Sequence, residues 1–409
     1  MQRTEENWSI PVKNDLRPDY YDEFRCLAAA CKYSCCVGWS ITFDKKDYLS
    51  LKRQSGSEDL NARLERGVRR IRREHVHYGE FDMSSTVCPL LGADHLCVLQ
   101  KECGHTALPE VCRSFPRTEA YLSSGYLERS LSPACEGVLE LLWERPEGIG
   151  FISDPLAKKD VRTMGVEGPG TLHPHFLDIR EACIDLLQDR RFPLSQRIFL
   201  MGAALKELAG CEENITRWLR KARALPETPG AAELLDSREL EQSLPLFLSN
   251  QLHILTSIYT VNPELLSVKY TLLTALEPEE LPDGEGTTFS LEVYRKARER
   301  FQEKFGDRDY FMENLMVALF FHLRLPNVNS RELLWKSYVN FCNLYSFYRF
   351  LAVMSCREGS AGDKLELFRL MVFASRSLIH NGTQQLALRD ELFQNNSGTL
   401  AHMAILLGN

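Results

Sequence analysis

No stretch of this chain is long and apolar enough to cross a bilayer. The longest apolar run, residues 315–323, follows directly on Glu313 and Asn314; a spanning helix needs about 20 apolar residues, so this run reads as a buried helix. The N-terminus, MQRTEENWSIPVKND, lacks the apolar core of a secretion signal. A basic excess is also missing. Net charge is −7 and the pI about 5.9, which argues against a general nucleic-acid binder. Neither a repeat of fixed period nor a low-complexity segment appears. These absences predict a soluble, cytoplasmic protein whose partners include neither nucleic acid nor membrane.

What is present is an ordinary globular balance, with 44% apolar and 26% charged residues. At roughly 100–200 residues per domain, 409 residues imply two or three domains. A chain of this length builds a core without staples, so metal is not required merely for folding. The texture divides it. A Cys-rich part runs over 1–165, a Gly/Pro linker over 166–175 and a helical part over 176–409, with a possible subdivision at the acidic Gly/Pro stretch near 277–288.

The fold class expected is mainly α, with an irregular Cys-rich N-terminal part. Residues 61–75 place Leu60, Leu64, Val68 and Ile71 on one helical face, with Arg63, Arg66, Arg69, Arg70, Arg72 and Arg73 around the rest, and predict a basic amphipathic helix. Residues 121–131 are β-tolerant and 138–143 helical. Further on, apolar spacing predicts helices over 176–188, 198–208, 246–276 (two, parted near Pro263), 310–325, 333–355 and 363–380, and a buried stripe of Tyr294, Ala297, Phe301 and Phe305.

Thirteen cysteines are the strongest signal. Nine fall between Cys26 and Cys135, and four lie in the rest of the chain. In a reducing compartment clustered cysteines indicate metal or redox chemistry rather than disulfides. One group is Cys26-x4-Cys31-x3-Cys35-Cys36; the other is Cys88-Pro-Leu-Leu with Cys97, Cys112 and Cys135. A subset of these eight thiols is expected to bind metal. Structural zinc is one reading, through Cys31-x3-Cys35 and a second pair. An iron–sulfur cluster accommodates the irregular spacing and the adjacent Cys35-Cys36 better. Cys183, Cys211, Cys342 and Cys356 sit at helical core positions and read as packing.

These motifs resemble the flagellin lysine N-methylases and a wider group of CxxCxxCC-type iron- or zinc-chelating proteins. The likeness rests on FRC-x4-C-x3-CC-x-GW followed by Ile41, on CPLL-x5-C-x-L-Q, on Cys112-Arg-Ser-Phe-Pro-Arg and on Ser132-Pro-Ala-Cys135-Glu. It continues through IREACIDLLQDRRFPLSQRI and the helix bearing Glu313-Asn314. The first cysteine group is spaced more loosely than CxxCxxCC, and Cys103 is additional. The resemblance implies methylation of lysine ε-amines on flagellin, with S-adenosyl-L-methionine as donor and a [4Fe–4S] cluster.

No Gly-rich loop follows a predicted strand, which disfavours a Rossmann-type donor site. Gly38 stands where a radical-SAM Cys-x3-Cys-x2-Cys run would have its third thiol. A lysine amine, with a reference pKa of ~10.4, needs only deprotonation and alignment with the sulfonium, so polar transfer is expected and a radical route is the alternative.

Around the first cysteine group stand Tyr20, Tyr21, Phe24, Tyr33 and Trp39, with Trp39 the first candidate to meet a cationic substrate. His380, with Arg376, is a candidate for acid–base work; His75 and His77 are optional metal ligands. The competing reading is a non-catalytic metal-binding module, zinc or iron–sulfur, that senses redox state or binds a partner.

Overall fold

The computed structural model describes residues 14–71, 77–122, 125–156, 175–208, 215–228, 241–260, 262–276, 279–280, 287–288 and 290–408. The linker at 166–174, most of the 277–288 stretch, Arg72, Arg73, His75 and Cys211 lie outside them.

The N-terminal part is more regular than its sequence suggested. Four strands, β1 (Asn14–Pro18), β5 (Arg117–Tyr121), β6 (Tyr126–Leu131) and β7 (Phe151–Pro155), form a mixed sheet in the order β5-β6-β1-β7. β1 runs parallel to β6, with Leu16 opposite Glu128, and antiparallel to β7; β5 is antiparallel to β6, with Arg117 opposite Leu131. One consequence is decisive for the site. The C-terminal ends of β1 and β6 and the start of β5 all lie at the same end of the sheet. The segments carrying Cys26 to Cys36, Cys112 and Cys135 attach at these three points, so strand topology gathers them.

Between β1 and β5 the chain makes a long excursion with its own small core. It comprises β2 (Thr42–Phe43), α1 (Lys45–Leu51), α2 (Glu58–Gly67), β3 (Val68–Arg70), β4 (Gly79–Phe81), α3 (Val98–Cys103) and α4 (Glu110–Ser114). Asp44 caps α1 by accepting from the Asp47 amide at 2.8 Å, and Ser57 caps α2 through Leu60 at 3.1 Å. The basic helix expected over 61–75 is a correction. It ends at Gly67, and Val68 to Arg70 turn into a strand because Val68 pairs with Phe81 and Arg70 with Gly79. Gly67 is required there, since a Cβ would come within 2.3 Å of the Pro89 ring.

After β6, α5 (Glu136–Trp143) leads into the helices α6 (Phe176–Leu187), α7 (Leu194–Leu208), α8 (Ile215–Ala224), α9 (Leu244–Ser257), α10 (Pro263–Ala275), α11 (Leu291–Phe305), α12 (Asp309–His322), α13 (Arg331–Met354), α14 (Lys364–Ala374), α15 (Gly382–Gln394) and α16 (Leu400–Gly408). Helix outweighs strand, as the fold class required. The break before Pro263 and the stripe Tyr294, Ala297, Phe301, Phe305 stand as expected; all four stripe residues are buried on α11. Cys183, Cys342 and Cys356 are buried in the core. A large core joins Tyr20, Leu131, Val138 and Leu142 from the N-terminal part to α6, α7, α12, α13 and α14. Among the described residues no helix is long and apolar enough to cross a membrane.

Two polar contacts fix the sheet to the helices. Arg180 on α6 donates to Glu128 on β6 at 2.6 Å, both almost fully buried, and its guanidinium lies over the Phe176 and Phe321 rings. His322 at the end of α12 meets Ser130 Oγ at 2.9 Å.

Candidate functional site

The loop after β1 is fastened on three sides. Cys36 accepts from the Cys88 amide at 2.8 Å and Thr86 from Gly38 at 2.9 Å, which zips residues 36–38 to 86–88. Glu136, the first residue of α5, accepts from the amides of Lys32 at 2.7 Å and Tyr33 at 2.9 Å, and its Oε2 lies 3.5 Å from Cys31 Sγ. From the far end of the chain, Arg376 donates to the carbonyls of Tyr33 (2.6 Å), Ser34 (3.1 Å) and Val37 (3.1 Å). Arg376 sits in a π-helical turn, Ser375–Ile379, that interrupts the run out of α14; such turns commonly mark functional positions. Gly38 adopts φ +98°, and an added Cβ would stand 2.1 Å from Asn262 Nδ2.

This arrangement leaves a cavity of about 210 Å3 lined by Cys35, Cys36, Cys88, Cys97 and Cys112. Trp39, Phe115 and His380 form one wall. Cys97 immediately precedes α3, and Cys112 lies within α4. The Cys35 thiol pulls Cys36 down, but the Cys88 thiol and burial together push it up to about 12. Burial raises Cys97 and, with the neighbouring thiols, Cys112. Without a cation beside them, Cys36, Cys97 and Cys112 are protonated thiols.

The other three candidates stand apart from this cavity. Cys31 is pushed up to about 12 by burial and by Glu136, and Cys135 up to about 12 by burial. Among the described residues no three His, Cys, Asp or Glu side chains converge as a single metal ion requires. Cys103 faces the Ser55 carbonyl at 3.8 Å instead. His77 is engaged with Thr42 Oγ1 at 3.0 Å.

Trp39 and His380 are brought together, their rings edge-to-face at 4.6 Å. Both are already engaged. Trp39 donates from Nε1 to the Cys35 carbonyl at 2.6 Å, carries Arg376 over its ring at 5.1 Å and meets Phe115 edge-on. His380 Nε2 lies 2.9 Å from Ser132 Oγ, and burial and Arg376 hold its pKa down to about 4. Tyr20, Tyr21 and Phe24 are core residues, and Tyr33 donates to the Leu365 carbonyl. Sequence reasoning passed over Glu136 and Asn262. The only signal for Glu136 was its place after Cys135.

A sheet-and-helix scaffold thus presents a thiol-lined cavity to which the C-terminal part contributes His380. The family model described as the FliB lysine N-methylase C-terminal domain matches residues 180–406, more than half of the chain. A flagellar biosynthetic protein FliU of Salmonella muenchen is 32% identical over 138 residues, which cover 33% of this chain and 79% of that protein. Lysine-N-methylases of Salmonella typhimurium and Salmonella choleraesuis are each 30% identical, over 150 and 156 residues. The match spans only 36% of the length of each of these two. No solved structure matches. The chain belongs to the FliB lysine N-methylase family.

Proposed function

We propose that this protein transfers methyl groups from S-adenosyl-L-methionine to lysine ε-amines of flagellin, in the cytoplasm before the substrate is assembled. The family and the names of its relatives support the reaction class and the flagellar substrate.

The observation that carries the reading for this chain is the cavity. Five cysteines line it, and a [4Fe–4S] cluster is held by four thiolates, each on a different iron. The donor set therefore fits such a cluster better than zinc, with Cys36, Cys88, Cys97 and Cys112 as its holders. When bound, the cluster would supply either a Lewis-acidic iron or a rigid scaffold.

The chain's own residues do the rest. Arg376 and Glu136 hold the cysteine loop through its backbone, while Trp39, Phe115 and His380 form one wall of the cavity. In the transfer the amine lone pair forms the new N–C bond, the methyl C–S bond breaks, and the proton leaves to solvent.

The test is co-expression of flagellin with the full chain or with Cys112→Ala, followed by mass spectrometry of flagellin lysines. Methylated lysine with the unmutated chain and none with the variant is the expected result. Unmethylated flagellin with the unmutated chain would overturn the methylase reading in favour of a metal-binding module.

A further inference from the structure

A second cleft, of about 400 Å3, opens where β1, β6 and β7 meet α6 and the end of α12. That volume is within the range of small-molecule sites. The cleft shares no lining residue with the thiol cavity.

Its lining is of two kinds. One part is apolar and flat: the Phe151 and Phe321 rings lie 4.8 Å apart, and Tyr126 and Ile149 extend them. Arg180 belongs to this part, but Glu128 answers its charge. The other part is acidic. Asp178, Glu181 and Asp185 recur at i, i+3 and i+7 along α6 and so share one face of it. His175 lies 3.1 Å from Asp178, and Arg223 is divided between Glu181 at 3.7 Å and Asp185 at 3.6 Å. Among the described residues one arginine therefore answers two carboxylates, and this part stays negative.

An independent observation concerns Gln188, one turn beyond Asp185 in the same lining. Its Nε2 donates to the Ile149 carbonyl at 3.2 Å, while its buried Oε1 has no donor among the described residues. An acceptor left in that state costs free energy until an N–H or O–H reaches it.

The cleft thus suits a ligand with a flat ring, hydrogen-bond donors and positive charge. S-adenosyl-L-methionine has all three, in its adenine, its ribose hydroxyls and its sulfonium and ammonium groups. A substrate lysine offers only a cation and its donors, and carboxylates beside it would hold the amine protonated, the wrong state for attack. Arg223, loosely held beside these carboxylates, is the cation left to meet the methionyl carboxylate.

We propose that the S-adenosyl-L-methionine donor binds in this cleft rather than in the thiol cavity. Phe151 and Phe321 would take the adenine, and Glu181, Asp185 and Gln188 the hydroxyls and cations. This placement rests on the donor proposed above, and it leaves a cluster in the thiol cavity the role of scaffold.

The test is equilibrium dialysis of labelled S-adenosyl-L-methionine against the full chain, purified anaerobically. The unmutated chain should bind the donor. Asp185→Asn and Glu181→Gln alter exposed side chains and should each weaken binding roughly tenfold, through loss of a charge-assisted contact. Ser153→Trp, at an exposed position on β7, should fill the cleft and abolish binding. S-adenosylhomocysteine, a neutral thioether where the donor is a sulfonium, should lose less affinity than the donor does in Asp185→Asn. Thermal melts of the unliganded variants separate lost binding from lost fold. Donor binding that none of the three variants weakens overturns the placement and leaves the methylase reading standing. An unmutated chain that binds no donor overturns the placement and the donor reading together. Binding of lysine amide that these variants weaken, while the donor's is unchanged, assigns the cleft to the acceptor and overturns the proposal.

Discussion

Arg376 and Tyr33 are separated by 343 residues of chain and joined by a 2.6 Å hydrogen bond from guanidinium to carbonyl. The same guanidinium reaches Ser34 and Val37 and lies over Trp39. Arg376→Ala leaves three carbonyls without their donor and should cost about 3 kcal/mol, read as a fall in the thermal midpoint. Arg376→Lys should recover less than half, because an ammonium cannot fork to three acceptors. An unchanged midpoint in the alanine variant would show that the loop holds without the helical part.

Gly38 and Asn262 are in steric register. Gly38→Ala combines a left-handed φ with a Cβ that would overlap Asn262 Nδ2, and should cost about 2–4 kcal/mol. Asn262→Ala alone should cost about 1 kcal/mol, through loss of its cap on Glu264. Combined, the two should be less harmful than their sum by about 1 kcal/mol, since removing the amide relieves the overlap but not the backbone strain. Strict additivity in denaturant titrations would show the contact to be irrelevant.

Glu128 and Arg180 form an almost wholly buried pair. Arg180→Met strands a carboxylate and should cost about 3–5 kcal/mol, while Glu128→Gln with Arg180→Met should recover most of it. Chemical denaturation of the three variants measures this, and a double variant no better than the single one would count against the ion pair as the cause.

His322 carries a pH dependence. Its burial, with His380 and the Arg324 charge nearby, holds its pKa down to about 3 from 6.5. Above 6.5 it is neutral in both folded and unfolded chains; between 6.5 and 3 only the unfolded chain takes the proton, so stability falls as pH falls through that window. His322→Asn should flatten the acid limb of a stability–pH curve by a few kcal/mol, on the order of 2–4. A residual slope of the same sign should persist from His380, held down to about 4. An acid limb of unchanged steepness would remove His322 as its origin.

The helical part was legible because its apolar spacing is regular and its caps are local. The stripe on α11 and the break before Pro263 needed no tertiary information. The four-stranded sheet was not legible. β1 is five residues, NDLRP, without alternation, and its identity comes from pairing with a strand over a hundred residues away. The arginine-rich helix failed for a related reason: Val68 satisfies a helical period and a strand pairing equally, and the partner Phe81 decides. In the site, the cysteines announced themselves by type and clustering. What their spacing could not show was which of them share a cavity, because Cys88, Cys97 and Cys112 come from the excursion and only the fold sets them beside Cys35 and Cys36. Glu136 was invisible because a carboxylate that accepts backbone amides looks like any other glutamate.

The closure of the cysteine loop by Arg376 also sets an order of events during synthesis. All eight candidate thiols leave the ribosome long before the residue that clamps them. At about 5–20 residues per second, the 343 residues from Tyr33 to Arg376 take roughly 20–70 s. Through that interval the loop lacks its last fastening. The cysteine loop is therefore made first and fastened last, by the turn that carries Arg376.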